Sequence, residues 1–445
     1  MSKSQDLVTQ VLEIVGDRAE AGVYDRTGTS ALTRFANSFI HQNVSDDVAD
    51  VHLTISLGGK VASGSTTSVS PEGLGSLVER TITSASDQST DETFPGFGGP
   101  VDSPKVDLFD EATAAADPAA RAEVVKTFVD AGKGLLAAGM CETMAFHDAY
   151  ANTSGRRIHG RSTKAILDGI HQTSTTAGSG HSAGRGLGDI AAQSAGEQAS
   201  ARARMGEQPF DTKPGQYEVV LAPEAMATIA EFLSAYGFNG KAYNEGQSFV
   251  NLGESRFDES IQLFDDIFES RAMGMPFDAE GTPRARLDLI VDGSTPSLVH
   301  DRRSGLVAES QTTGHAALAG ESWSGEPATR NLFIGDGELS EDALIAQVER
   351  GIYVATFNYC RVLDPKTVVV TGLTRNGTFM IENGVITGAV TNLRFTQSFI
   401  DALGQGNVGG VGRNGRFANA ESEPGVVHAP SAHLRSWNFT GGAAG

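Results

Sequence analysis

The sequence predicts an α+β fold, with an N-terminal domain in which a helix plus antiparallel strands occurs twice and a C-terminal domain rich in β-strand. Three observations predict it. Apolar residues at helical spacing give way to short alternating runs; the same order returns after a Pro/Gly-rich break; and from Pro214 onward short β-rich runs alternate with turns.

Leu7, Val8, Val11, Leu12 and Val15 recur at the spacing of a helix. Strands follow at Ala21 to Asp25, Leu32 to Asn43, Val48 to Leu57 and, after the Gly58-Gly59 turn, Lys60 to Ser65. A second helix runs from Pro71 to Ala85, and Phe94 to Asp107, rich in Pro and Gly, reads as a loop. The order then repeats: a helix from Pro118 to Ala138, then strands at Cys141 to Ala151, Arg156 to Arg161 and Lys164 to Gln172. Residues 173–186 are small and polar, with almost no apolar surface to bury, and so are expected to be a mobile loop or hinge. Asp189 to Met205 reads as a bridging helix. The expected domains are therefore 1–186, a linking helix in 187–213, and 214–445. In the last of these, Tyr217 to Leu221 is a strand that leads through Pro223 into an amphipathic helix. Leu287 to Val291, Val368 to Leu373, Thr378 to Ile381 and Val385 to Arg394 are further strands, with hairpin turns expected at Asn376-Gly377 and Asn383-Gly384.

Length and composition bound the function. A chain of 445 residues buries a large core and is expected to form two or more domains. Thirty-four Lys and Arg against 55 Asp and Glu give a formal charge of -21, which repels nucleic-acid backbones and anionic membranes. No run approaches the roughly 18 apolar residues of a membrane span. Residues 1–16 read as an amphipathic helix rather than a signal peptide, and Cys141 and Cys360 make no disulfide framework, so a cytoplasmic protein is expected.

The candidates for chemistry are few. Asp278 and Glu280 form an acidic pair beside the Gly281 turn, suited either to acid–base work or to shaping the turn. His315 follows Thr312-Thr313-Gly314 in a small-residue loop where it could meet a peptide. His428 and His433 are separated by Pro430 and lack the further ligands of a zinc site, and Cys360 reads as a buried apolar residue. The Gly-rich run from Gly178 to Gly188 lacks the Lys-Ser/Thr of a phosphate-binding loop, and neither Ser182 nor Ser310 stands in a Gly-x-Ser-x-Gly elbow.

Several segments, in order, resemble the TldD/PmbA family: Arg34 to Asn43, Pro276 to Gly281, Leu289 to Gly293, Thr313 to Ala316, Gly351 to Tyr353 and Ile381 to Gly384. One branch of that family carries a His-Glu-x-x-x-His zinc motif on the helix after Pro223. The corresponding stretch here, placed approximately at Ala230-Glu231-Phe232-Leu233-Ser234-Ala235, has no imidazole. The cysteine ligand of the zinc-bearing branch is likewise missing from Val408 to Gly415. The resemblance is thus to the PmbA (TldE) branch. It implies no catalytic residue, metal or cofactor in this chain, zinc in a TldD-like partner subunit, and an unfolded peptide threaded between the two for cleavage. His315, Asp278 and Glu280, with Asn37 and His41 from the first matching segment, are the substrate-binding or interface candidates. The alternatives are a stand-alone binding or maturation protein in peptide natural-product biosynthesis, and an independent hydrolase using Asp278, Glu280 and His315.

Overall fold

The computed structural model describes residues 2–318, 326–421, 425 and 427–442. Ser2 accepts the Gln5 amide while the Gln5 side chain accepts the Ser2 amide, so helix α1 (Lys3–Val15) begins in a capping box and buries Leu7, Val8, Val11 and Val15. Three strands follow, β1 (Glu20–Ala36), β2 (Phe39–Leu57) and β3 (Lys60–Thr66), and then α2 (Pro71–Ser86), which starts at a Ser70 cap with Pro71 in its first turn. After the irregular 95–110 segment and the one-turn α3 (Glu111–Ala114), the unit recurs. It comprises α4 (Pro118–Ala131), β4 (Leu136–Asn152), β5 (Arg157–Gln172), β6 (Ala177–Gly184) and α5 (Ala192–Met205).

These six strands form one antiparallel sheet in the order β3-β2-β1-β4-β5-β6, so the two units meet at the long β1–β4 pairing. All four long helices lie on one face. α1 and α2 cover a cluster that includes Val23, Leu53 and Ala149, whereas α4 and α5 cover one that includes Phe35, Cys141 and Leu167. The separate strands expected at Ala21–Asp25 and Leu32–Asn43 are parts of the continuous β1 and β2, which turn at Asn37-Ser38 with both residues at positive φ. Thr27, Thr29 and Thr33 break the apolar pattern without breaking the strand.

The hinge expected at residues 173–186 is instead, over Ala177–Gly184, strand β6, paired with β5 from Ala165↔Gly184 to Gln172↔Ala177. Its residues are small because α5 lies directly on them. A Cβ on Gly180 would stand 2.0 Å from the Ala195 carbonyl oxygen, and one on Gly178 2.2 Å from that of Ala199. The alanine face of α5, with Ala195, Ala199 and Ala203 buried, completes the contact.

The second half is built from β7 (Gly215–Leu221), α6 (Pro223–Tyr236), β8 (Leu263–Asp265), β9 (Leu287–Ile290), β10 (Leu332–Ile334), β11 (Arg350–Asp364), β12 (Val369–Glu382), β13 (Val385–Ala389), β14 (Leu393–Ser398), β15 (Val408–Val411), β16 (Arg416–Ala418), β17 (Val427–Ala429) and β18 (Ala432–Gly442). Pairing runs β11-β7-β18-β14-β12 and returns to β11, closing a ring around Phe357, Phe395 and Trp437, whose neighbouring ring centroids are 4.6–5.2 Å apart. A smaller sheet, β16-β17-β10-β8-β9, stands beside it. Asn383-Gly384 is the two-residue turn joining β12 to β13. Asn376-Gly377 is not a hairpin turn: it lies inside β12 as a bulge, where the β11–β12 register jumps between Val354 and Thr356. Among the described residues no helix is long and apolar enough to cross a membrane.

One buried residue works against this packing. Asp25 lies fully buried on the helix side of the sheet, and neither of its carboxylate oxygens has a hydrogen-bond partner. Burial is the main cause that drives this carboxyl up to about 7, and Asp148 adds to the rise. A raised acid favours the proton in the fold, so its penalty is absent below the ordinary carboxylate range, grows between about pH 4 and pH 7, and is full above that. Asp25→Asn is expected to stabilise the protein at pH 8 by up to about 4 kcal/mol, and by close to nothing at pH 4. Urea unfolding of both proteins at the two pH values checks this; an equal difference at both would refute it.

Candidate functional site

The face of the sheet opposite the helices carries Tyr24, Arg26, Met144, Phe146, Asp148, Tyr150, Ser162 and Lys164, which the register places side by side across β1, β4 and β5. The second half packs onto this face through Phe277, which joins Tyr24, Tyr150 and Ile158 in one apolar cluster. Gly281, at φ 66°, lets the chain turn against Tyr150, whose ring would stand 2.3 Å from a Cβ there. Between the two surfaces is a cleft of about 200 Å³, lined by Arg26, Lys164, Arg284 and Arg330 along with Met144, Phe146, Met273 and Met275. Asp148 holds Arg26 through Nε and Nη2, the latter at 2.8 Å, and also accepts the Tyr24 hydroxyl.

Asp278 stands at the edge of this cleft and is buried. Its Oδ1 accepts the amides of Glu280 and Thr282 at 2.9 and 2.8 Å, and its Oδ2 accepts that of Ala316 at 2.9 Å. It therefore closes the 276–284 turn and ties it to the loop that carries His315. Glu280 accepts the Arg302 amide at 3.0 Å. Burial, and after it the repulsion of Asp278, pushes the Glu280 carboxyl above its ordinary range. His315 is fully buried; its Nδ1 faces Thr313 Oγ1 at 2.9 Å and its Nε2 lies 3.5 Å from Asp265. Burial would raise Asp265, yet His315, Arg284 and the Arg330 amide hold it at about 2.

The structure thus brings Asp278, Glu280 and His315 into one region, joined largely through backbone amides. It does not bring Asn37 and His41 there. Both are exposed at the β1–β2 turn, roughly 40 Å along β1 from Tyr24 at about 3.3 Å per residue.

A second polar centre, which the sequence reading missed, joins the two halves. Glu224, in the first turn of α6, is fully buried and bonded by Arg416, with His181 Nε2 at 2.9 Å and Arg202 Nη2 at 3.5 Å. His181 comes from β6, Arg202 from α5 and Arg416 from β16, and Arg202 also donates to the Tyr353 hydroxyl at 3.2 Å. Burial alone would raise Glu224, but Arg416, Arg202 and His181 hold it well below the usual carboxylate range. Its one signal in the sequence is an acid in the first turn of an otherwise apolar helix.

These groups do not suit zinc. Helix α6 presents Pro223, Glu224, Thr228 and Glu231, with no imidazole or thiolate. His428 is bound to Arg271 at 2.6 Å and His433 to Glu218 at 2.8 Å, on strands of different sheets. Cys141 and Cys360 are buried, and burial pushes the Cys141 thiol up to about 12. Among the described residues no group of three or more His, Cys, Asp or Glu could hold a metal.

Residues 214–441 match the family described as the PmbA/TldA metallopeptidase C-terminal domain. Two curated relatives are each 24% identical: a metalloprotease of Methanothermobacter thermautotrophicus, over 46% of this chain and 44% of its own length, and a metalloprotease TldD homolog of Buchnera aphidicola, over 42% and 39%. The chain therefore spans less than half the length of either. The crystal structure of TldE from Thermococcus kodakarensis has the same fold, with a TM-score of 0.86 at 16% identity over 98% of this chain and 99% of that one.

Glu224 offers a direct test of the junction. Glu224→Ala leaves Arg202 buried beside Arg416 with no carboxylate between them, and is expected to cost about 3–5 kcal/mol. A depressed acid stabilises above its ordinary range and loses that contribution as pH falls through the folded value. The advantage of the wild type over Glu224→Gln should therefore be full at pH 7 and shrink below about pH 4.5. Urea unfolding against pH reads both effects; an advantage that grows towards acid would refute the assignment.

Proposed function

Since the chain belongs to the PmbA/TldD metallopeptidase family, we propose that it is a TldE-like subunit without a metal of its own. In this reading it works with a zinc-bearing TldD-like partner on unfolded peptides, supplying channel wall and binding surface. The donor set of α6 carries the proposal. The zinc motif has glutamate as the second of its six residues, and two frames on this helix share that feature: Ala230 to Ala235, and Pro223-Glu224-Ala225-Met226-Ala227-Thr228. We favour the second, because Glu224 sits at the polar junction of the two halves whereas Glu231 is only partly buried and accepts the Glu421 amide. In that frame Pro223 and Thr228 stand where imidazoles would be needed. The carboxylate is neutralised by Arg416 and Arg202, an environment that disfavours a general base. The full-length likeness to a protein named TldE supports the same branch.

The purified chain alone is expected to leave casein or an unfolded peptide intact, and addition of a TldD-like partner should give cleavage that a chelator abolishes. The two should also elute together on size exclusion. Chelator-resistant cleavage by the isolated chain, lost in Asp278→Ala or Glu280→Ala, would overturn this proposal in favour of an independent hydrolase.

A further inference from the structure

On the helix side of the sheet, the two apolar clusters leave a gap in the middle of β1 and β4. There the residues facing the helices are Thr29, Ala31 and Thr33 on β1 and Thr143 and Ala145 on β4. Into this gap α4 sends Arg121, whose residue exposure is only 1%. Its Nε donates to Thr33 Oγ1 at 3.2 Å, and its Nη1 donates to Thr143 Oγ1 at 3.1 Å and to the Ala116 carbonyl at 3.2 Å. Every one of these acceptors is neutral. Among the described residues Arg121 makes no ion pair, and its Nη2 donates to no protein atom. Asp110 is committed to the Thr113 hydroxyl and amide, and Asp117 to the Ala120 amide.

A guanidinium removed from water without a counter-charge is costly. The feature that makes sense of it is the adjoining cavity of about 90 Å³, lined by Arg121 and by the hydroxyl residues Thr29, Ser45, Thr113 and Thr143. Its size is that of about three waters at roughly 30 Å³ each, too small for a nucleotide or a peptide residue with its backbone. We propose that this cavity is a binding site for a small oxyanion, with Arg121 supplying the charge and the hydroxyls of Thr29, Ser45 and Thr143 supplying additional donors. The two N–H groups of Nη2, the ones left over, can donate to carboxylate and phosphate oxygens alike. The chemistry is therefore that of an inorganic oxyanion or of the carboxylate of a small acid. The lining comes from residues of this chain, on the face of the sheet opposite the cleft.

The test is isothermal titration of the purified chain with phosphate and, separately, with acetate, at constant ionic strength, with thermal melts alongside. Saturable binding of phosphate alone would identify an inorganic oxyanion site, and binding of acetate alone or of both would identify a carboxylate-accepting one; each supports the proposal. Arg121→Gln should weaken binding by about tenfold or more. Should that variant fail to fold, Ser45→Glu provides a second arm. It places a carboxylate at the exposed side of the cavity, and should abolish anion binding while raising the melting temperature in anion-free buffer. Absence of saturable binding in the wild type, or binding unchanged in Ser45→Glu, would overturn the assignment and leave Arg121 a structural residue.

Discussion

Successive side chains of β1 point to opposite faces, and both faces are covered, so the parity of this one strand governs what each half of the protein can do. Val23, Asp25, Thr29 and Phe35 face the helices, whereas Tyr24 and Arg26 face the second half. A slip of one residue in β1 would bring Arg26 under α1, away from Asp148 on β4, and expose Val23 to the cleft. The β1–β4 pairing fixes this over its whole length, from Gly22↔Asn152 to Phe35↔Gly139. Because that pairing is also where the duplicated units join, the register that organises the cleft is the register that organises the fold.

The charges obey the same logic of enclosure. On the cleft side, Arg26 is stacked over the Phe146 ring at 5.3 Å and anchored by the buried Asp148, so its position is set by packing and charge together. At the junction of the halves, Glu224 has two guanidinium groups and an imidazole around it, an arrangement that survives burial because opposite charges and hydrogen bonds are supplied at once. Asp25 and Arg121 are the exceptions, one carboxylate and one guanidinium on the same helix-facing side without an opposite charge bound to either. Arg121 fills the gap between the two helix pairs, whereas Asp25 borders the α1/α2 cluster, to which its cross-strand partners Val51 and Ala149 belong.

The α+β class, the duplication and the strand-to-helix passage at Pro223 were legible in the sequence because each rests on local periodicity and capping. The run 173–186 was not, since glycine is read locally as freedom, while here it marks a close approach of α5 that only tertiary packing reveals. Asn376-Gly377 misleads for a related reason: positive φ at Asn376 serves a bulge as readily as a turn, and the partner strand decides which. Asp278 and Glu280 were legible as an acidic pair at a turn. Their link to His315 through the Ala316 amide was not, because residues so far apart in the chain carry no sign of their meeting. Glu224, His181, Arg202 and Arg416 come from four separate elements and were invisible for the same reason.

The arrangement of these contacts bears on how a peptide could be enclosed. Arg156 reaches from the sheet to the Glu280 carbonyl and the Thr282 hydroxyl, Phe277 fills the apolar cluster on the same face, and the Glu224 centre pins β6 and α5 to α6 and β16. Opening the chain between its halves would expose Phe277 and separate Glu224 from both Arg202 and His181, so hinge motion within the chain would be a costly way to admit a ligand. The cleft of about 200 Å³ lies below the 300–1,000 Å³ of a typical ligand pocket, room for a side chain but not for a length of polypeptide. If the proposed function holds, a channel for an extended peptide would need a second wall beside this cleft, which a partner subunit would supply.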